Sequence, residues 1–274
     1  MTLRSTATVV RALDGLRLAG TLVTSGSAAN RAVVLVHGGG VTREEGGFFT
    51  RLAAELGEAG VASLRCDLRG HGESEGEQQE MTLSAHLNDI RATIDHICEA
   101  TKVSTVSLVG ASFGGGLCAY YAAQRPEHLT RLVLLNPQLN YKNRYIDQKP
   151  YWSDGRLNDE AAKKLREQGY ISHSPTVKHG RAFLNEVFWI RPHLVLGEIA
   201  APTLIVHGTQ DTFVSIESSR AAVRQVTAEH KLVEIEGAQH GFAVHDDPTY
   251  ANPQSRKWQA FVIRTVVEWV TADS

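Results

Sequence analysis

A chain of 274 residues with 42% hydrophobic side chains can bury one large core, enough for a single α/β domain with an insertion. Its 28 Lys and Arg against 30 Asp and Glu leave a net charge of −2, which excludes the basic surplus that phosphate neutralisation demands and, with it, nucleic acid as a main partner. No apolar run approaches the ~20 residues that span a bilayer, and no charged segment leads into an apolar stretch with a cleavage site at the start, so a cytoplasmic protein with no membrane partner is expected.

The chain opens with alternating residues over Thr6–Leu13 and Leu16–Val23, separated by Asp14-Gly15, a pattern that predicts an antiparallel hairpin with a two-residue primed turn. The character then changes. Ala32–Val36, Val61–Arg65, Thr105–Val109, Leu132–Leu135 and Thr203–Val206 are short continuous apolar runs, as expected of strands covered on both faces. Helix-period segments alternate with them at Phe48–Ala59, Leu83–Glu99, Gly115–Gln124, Ile216–Val226 and Trp258–Val270. Strand and helix alternation of this kind predicts a mostly parallel, doubly wound sheet, whose chemistry sits beyond the carboxyl ends of its strands. From about Pro137 to Ile199 no strand is predicted, and aromatic residues from Tyr141 to Trp189 concentrate there. The expected organisation is therefore a core over 1–136 and 200–274 with a helical cap inserted over 137–199. The cap aromatics suit either a lid over a pocket or the insertion's own small core. Lys163, Lys164 and Arg166 are expected on a solvated helix face, and Cys66, Cys98 and Cys118, which cannot all pair, in apolar packing.

Gly110-Ala-Ser-Phe-Gly114 follows a predicted strand and precedes a predicted helix. A serine forced into a sharp strand-to-helix turn needs small residues two before and two after it, so Ser112 is read as a nucleophile at the tip of an elbow. A serine hydroxyl at neutral pH needs a base, and the base an orienting group. His240, on a loop after the polar–apolar stretch Leu232–Glu236, is the favoured base, with His245 and His207 as rivals; His207 ends a strand, where packing is its expected task. Asp211 lies a short turn beyond the same strand and is the expected carboxylate, in the chain order Ser, Asp, His that this architecture uses. Asp67, in the glycine-rich connection Asp67-Leu-Arg-Gly-His-Gly-Glu-Ser74, is assigned to the scaffold. His37-Gly-Gly-Gly40 offers unobstructed amides for an oxyanion. Gly39 with the Phe113 N–H is the expected pair, Gly40 the fallback. No phosphate-loop, dinucleotide or metal-ligand spacing is present, so no cofactor and no metal are expected.

His37-Gly38-Gly39, Asp67–Ser74, Gly110–Gly114, His207-Gly-Thr-Gln-Asp211 and Gly237-Ala-Gln-His240 resemble, in order, the signature segments of the α/β-hydrolase superfamily across nearly the whole chain. Within it the chain looks most like the serine aminopeptidase-like and cinnamoyl or feruloyl esterase-like branch, although those esterases commonly carry a bulkier residue at the position of Gly39. The resemblance implies serine acyl-enzyme chemistry with Ser112, His240 and Asp211 on a small-molecule ester or thioester of hydrophobic or aromatic character, and leaves the substrate open. Acyl transfer or release of a carrier-bound chain, peracid formation from acetate and hydrogen peroxide, and a non-catalytic ligand-binding protein are the alternatives; a homodimer is compatible with all of them. Because an imidazolium cannot accept a proton, single-turnover rates should fall as pH drops from 8 to 5. A flat profile over that range would remove His240 from the role of base.

Overall fold

The computed structural model describes residues 2–26, 29–247 and 249–272. β1 (Leu3–Arg11) and β2 (Arg17–Ser25) form the N-terminal hairpin, followed by β3 (Arg31–Val36), α1 (Phe48–Glu58), β4 (Val61–Cys66), α2 (Leu83–Thr101), β5 (Val106–Ala111), α3 (Ser112–Gln124) and β6 (Leu129–Leu135). An insertion then carries β7 (Trp152–Ser153), β8 (Arg156–Leu157), α4 (Asp159–Gln168), β9 (Tyr170–Ser174), β10 (Val177–Gly180) and α5 (Arg181–Glu186). The chain rejoins the core through β11 (Thr203–Gly208), α6 (Ile216–Val223), β12 (His230–Ile235) and α7 (Pro253–Thr271).

Eight strands make one sheet in the order β1-β2-β4-β3-β5-β6-β11-β12. β1 and β2 pair antiparallel with each other and β2 antiparallel with β4, while every later pairing is parallel. This is the mostly parallel, doubly wound sheet with an antiparallel hairpin at its edge that the sequence predicts. All six residues of β4, β5 and β11 are buried, because one apolar core packs α2, α3 and α6 on one face of the sheet and a second packs α1 and α7 on the other. That two-sided burial is why these strands read as continuous apolar runs rather than alternating ones.

Two expectations are corrected. The first hairpin does not close with a two-residue turn: the Ala12 N–H bonds the Leu16 carbonyl and the Gly15 N–H bonds Ala12, leaving three residues in the loop, with Gly15 at φ +96°. The insertion is not purely helical. β9 and β10 pair antiparallel through an irregular register, and β7 with β8 form a second, two-residue hairpin. Strands of two to five residues interrupted by Pro175 and Gly155 carry too little alternation to stand out in a sequence. Most of the insertion's aromatic rings pack on one another: Phe183 stacks on His179 at 4.1 Å, and Tyr145 meets Phe183 edge-on at 5.2 Å. Lys164 pairs with Glu160 at 2.8 Å on the exposed face of α4, as expected of a solvated helix.

The order of the sheet positions the site. β3 lies between β4 and β5, so the chain leaves β3 toward one side and β5 toward the other, and a crevice opens at this switch point. Val36 pairs with Gly110 across it, which sets the loop after β3 beside the turn after β5. In that turn Ser112 takes φ +49°, the left-handed region that a side chain enters only when its surroundings enforce it. A Cβ at Gly110 would lie 2.6 Å from Cys118 Sγ, and one at Gly114 would collide with the carbonyl oxygens of Val36 and His37. Gly114→Ala is expected to cost about 3 kcal/mol or more of unfolding free energy, since backbone rather than a flexible side chain blocks the added methyl. Urea denaturation of the variant beside the native protein would test this, and equal midpoints would refute it.

Candidate active site

Five strand ends converge on one crevice. The loop after β3 brings Gly38 and Gly39, the turn after β5 brings Ser112, the end of β6 brings Asn136, and the loops after β11 and β12 bring Asp211 and His240. Ser112, Gly39 and His240 line one cavity of about 160 Å³ together with Glu45, Phe48, Leu135 and Tyr250. Behind it the His240 Nδ1–H donates to Asp211 Oδ2 at 2.6 Å. Asp211 Oδ1 accepts from the amides of Phe213 and Val214 at 2.8 and 2.9 Å. Burial opposes ionisation of this carboxyl, but the hydrogen bonds from His207 and His240, the His240 charge and the Val214 amide outweigh it and hold Asp211 well below the usual carboxylate range. The imidazole of His240 is therefore oriented by a permanently charged acceptor, with its other nitrogen left for the cavity.

The rivals are placed elsewhere. His207 is fully buried, accepts from Ser219 Oγ at 2.7 Å through Nδ1 and shares its Nε2–H between the Val214 carbonyl at 2.9 Å and Asp211 Oδ2 at 3.3 Å. Both of its nitrogens serve the packing around Asp211. His245 is exposed, with Asp246 3.4 Å away. His37 lies beneath the glycine loop, donating to the Gly38 carbonyl at 2.7 Å and accepting from the Leu68 N–H at 2.9 Å; burial, with His71 nearby, lowers its pKa to about 3, so it is a neutral strut. Asp67 is likewise structural, bound to the Arg43 guanidinium and amide and to the Glu73 amide.

The three successive glycine amides are sorted by their partners. The Gly38 N–H donates to Glu45 Oε2 at 2.8 Å and the Gly40 N–H to His71 Nε2 at 3.4 Å. Among the described residues the Gly39 N–H has no acceptor. Phe113 is the second residue of α3, where an N–H has no intrahelical partner. Its carbonyl is tied to the Tyr141 hydroxyl at 2.6 Å, and the Ser112 carbonyl accepts from the Gln138 N–H at 2.8 Å. Two unused amides thus flank the Ser112 side chain at a helix N-terminus, an arrangement that favours developing negative charge.

Three side chains of the site were not singled out from the sequence. Asn136 sits at φ +42° and accepts from the Gly208 N–H at 2.9 Å, tying β6 to β11 beside the cavity. Arg144 lies on a wide π-helical turn, Asn143–Asp147, in the insertion. Glu45 stands at φ +47° on the cavity wall. Only its place eight residues beyond His37 hinted at proximity to the glycine loop, and that spacing carries no known signature.

This sheet order, with a left-handed serine after its fifth strand and an Asp–His pair after its last two, defines an α/β-hydrolase. A model of the serine aminopeptidase S33 family matches residues 27–157 and 155–247. The chain belongs to that family and is a hydrolase of the esterase and lipase type. It is 25% identical over 282 residues to a monoacylglycerol lipase of Mycolicibacterium smegmatis, covering 95% of both chains. It is also 25% identical over 233 residues to the monoglyceride lipase of Homo sapiens, covering 77% of this chain and 75% of that one. Among solved structures it is similar to Est1E from Butyrivibrio proteoclasticus with bound ferulic acid, at a TM-score of 0.75 and 24% identity over 95% of this chain and 99% of that one.

Crowding of the Glu45 carboxyl by protein raises its pKa to about 7, against the opposing pull of the Gly38 amide and the His240 charge. A carboxyl raised on folding contributes stability below its unfolded value near 4.3 and loses it as pH climbs through about 7. Glu45→Gln, which keeps an acceptor for Gly38, should therefore gain stability relative to the native protein between pH 4.5 and 8. A stability difference independent of pH across that window, in paired denaturation curves, would contradict this origin.

Proposed function

We propose that this protein hydrolyses a carboxylic ester, or a thioester, of a small hydrophobic or aromatic substrate through an acyl-enzyme on Ser112. The observation that carries the proposal is the Asp211–His240 hydrogen bond of 2.6 Å, aimed at a cavity whose opposite wall is a serine held at φ +49°. In this mechanism His240 removes the Ser112 proton as the hydroxyl attacks the substrate carbonyl. Asp211 keeps the imidazole in the tautomer that accepts at its other nitrogen and stabilises the imidazolium that results. Negative charge on the carbonyl oxygen falls to the amides of Gly39 and Phe113; the commitment of the Gly38 and Gly40 amides to Glu45 and His71 favours Gly39 over its neighbours for this task. His240 then returns its proton to the departing alcohol or thiol and activates the water that releases the acid.

The names of the relatives support the reading: monoglyceride lipases act on esters, and Est1E is similar in fold and holds ferulic acid. The insertion over 137–199 is assigned as a cap, because Tyr145, His173 and Val177 from it wall a second cavity that also reaches Ser112. Pooling nucleophile, base and orienting acid in one unit predicts strongly non-additive losses. In a p-nitrophenyl ester series from acetyl to octanoyl plus a cinnamoyl ester, Ser112→Ala should lower kcat about 10⁴-fold or more, and Ser112→Ala with His240→Ala little further. Turnover retained by Ser112→Ala would refute the acyl-enzyme, and absence of turnover by the native protein on every ester would move the assignment to a carrier-bound donor.

A further inference from the structure

Ser112, Gly39 and His240 border two cavities that differ in chemistry. The first is walled by Phe48, Leu135, Phe242 and Tyr250, with Glu45 as its acidic group. The second, about 200 Å³, is closed by the insertion and contains no carboxylate among its lining residues. Arg144, Tyr145 and His173 line it beside Gln138 and Ser174, and Arg144 and Gln138 also line a neighbouring cavity of about 300 Å³.

Arg144 is half-buried, yet among the described residues its guanidinium has no ion pair and no hydrogen-bond acceptor. The nearest acid in sequence, Asp147, is taken by Lys142 at 2.6 Å. Other arginines drawn into the protein have acceptors: Arg69 holds both Asp14 and Asp89, at 2.6 Å each, Arg65 holds Glu44 at 3.0 Å, and Arg51 and Arg191 donate to Gln259 and to the Phe188 carbonyl. A partly desolvated guanidinium with five unused donors is costly unless an anion completes it. His173 shows the same deficit, since its Nδ1 is buried and has no hydrogen-bond partner. Burial, with the charges of Lys149 and Arg144, lowers the His173 pKa to about 4, so the ring is neutral and can present an N–H at Nδ1. Lys149 adds a second positive charge that is not paired with any described acid. The cavity thus has positive charge at its wall and no carboxylate among its described lining residues to offset it.

We propose, building on the ester hydrolase reading, that the cap-side cavity is a carboxylate subsite: the ester cleaved at Ser112 carries a second, ionised carboxylate that binds the Arg144 guanidinium, with His173 as an additional donor. The planar fork of arginine matches the two oxygens of a carboxylate. A cavity of this size leaves room for only a few carbons between that carboxylate and the scissile carbonyl. The substrate class is accordingly an acidic ester, such as a half-ester of a short dicarboxylic acid or an ester of a hydroxy acid, rather than a neutral glyceride.

Two pairs of chromogenic esters test this and locate the charge. Mono-p-nitrophenyl glutarate against p-nitrophenyl valerate places it in the acyl group, and 4-acetoxy-3-nitrobenzoate against p-nitrophenyl acetate places it in the leaving group. One anionic ester should exceed its neutral counterpart in kcat/KM by about ten- to a hundredfold, the span expected for a charge-assisted, bidentate contact. Arg144→Gln should collapse that ratio toward one, chiefly through KM, while Arg144→Lys retains part of it. Equal rates within both pairs, or a preference that survives Arg144→Gln, would overturn the subsite. Calorimetric binding of the same four esters to Ser112→Ala reads the subsite without turnover. Anion-selective binding that Arg144→Gln abolishes, in a protein whose native form cleaves none of them, would uphold the carboxylate site and reject ester hydrolysis; turnover of the neutral esters with no anion selectivity in either assay would do the reverse.

Discussion

The pairing of Val36 with Gly110 at the centre of the sheet is the constraint on which the site depends. It brings the chain reversals after two neighbouring strands of the sheet into contact, one carrying three glycines and the other carrying Ser112. The second reversal is so tight that the serine enters the left-handed region, a strain that only a packed environment sustains. Gly110 and Gly114 permit the approach of helix to strand, and Tyr141 and Gln138 clamp the carbonyls of Phe113 and Ser112 from the next connection. The same turn starts α3 with its free amides facing the crevice, so exposure of the nucleophile and provision of anion donors come from one local geometry.

Around that turn the polar groups form a graded electrostatic frame. Asp211 is kept ionised by donors from three directions, whereas His37 and His71 are kept neutral, with pKa values lowered to about 3 and about 4, chiefly by burial. All three groups are buried, and their partners set how far burial prevails: hydrogen bonds to the charged form of Asp211 outweigh it, whereas the two histidines, edge to face with centroids 5.0 Å apart, repel each other's protons and so add to it. The neutral pair can then act as acceptors for the Leu68 and Gly40 amides, fixing the glycine loop without adding charge beside the serine. On the insertion side, Arg144 and Lys149 bring positive charge to His173. The candidate catalytic groups therefore lie on the core, and the proposed carboxylate subsite on the insertion.

The outer scaffold is held by ion pairs that the sequence shows only as a glycine-rich connection. Arg69 in that connection spans from Asp89 on α2 to Asp14 in the first hairpin turn, and Asp67 anchors Arg43 beyond the glycine loop. Together they tie the antiparallel edge to the parallel centre. None of the described helices is long and apolar enough to cross a membrane.

Sheet class, strand positions, the Ser112 elbow and the candidate roles of Asp211 and His240 were legible in the sequence, because each rests on a local rule: two-sided burial writes continuous apolar runs, and a tight turn demands small residues at fixed offsets. Helix starts were less legible. α3 begins at Ser112 and not Gly115 because the strained turn itself enters the helix. The short hairpins of the insertion escaped notice because two to five residues hold no measurable period. Tertiary structure alone decided which glycine amide is left unused, that Glu45 lines a cavity with Ser112 and His240, and that Arg144 from the insertion lines a second cavity with Ser112 and has no paired acid among the described residues. Those facts depend on which partners are taken by residues tens of positions away, and pairing at that distance leaves no spacing along the chain to read.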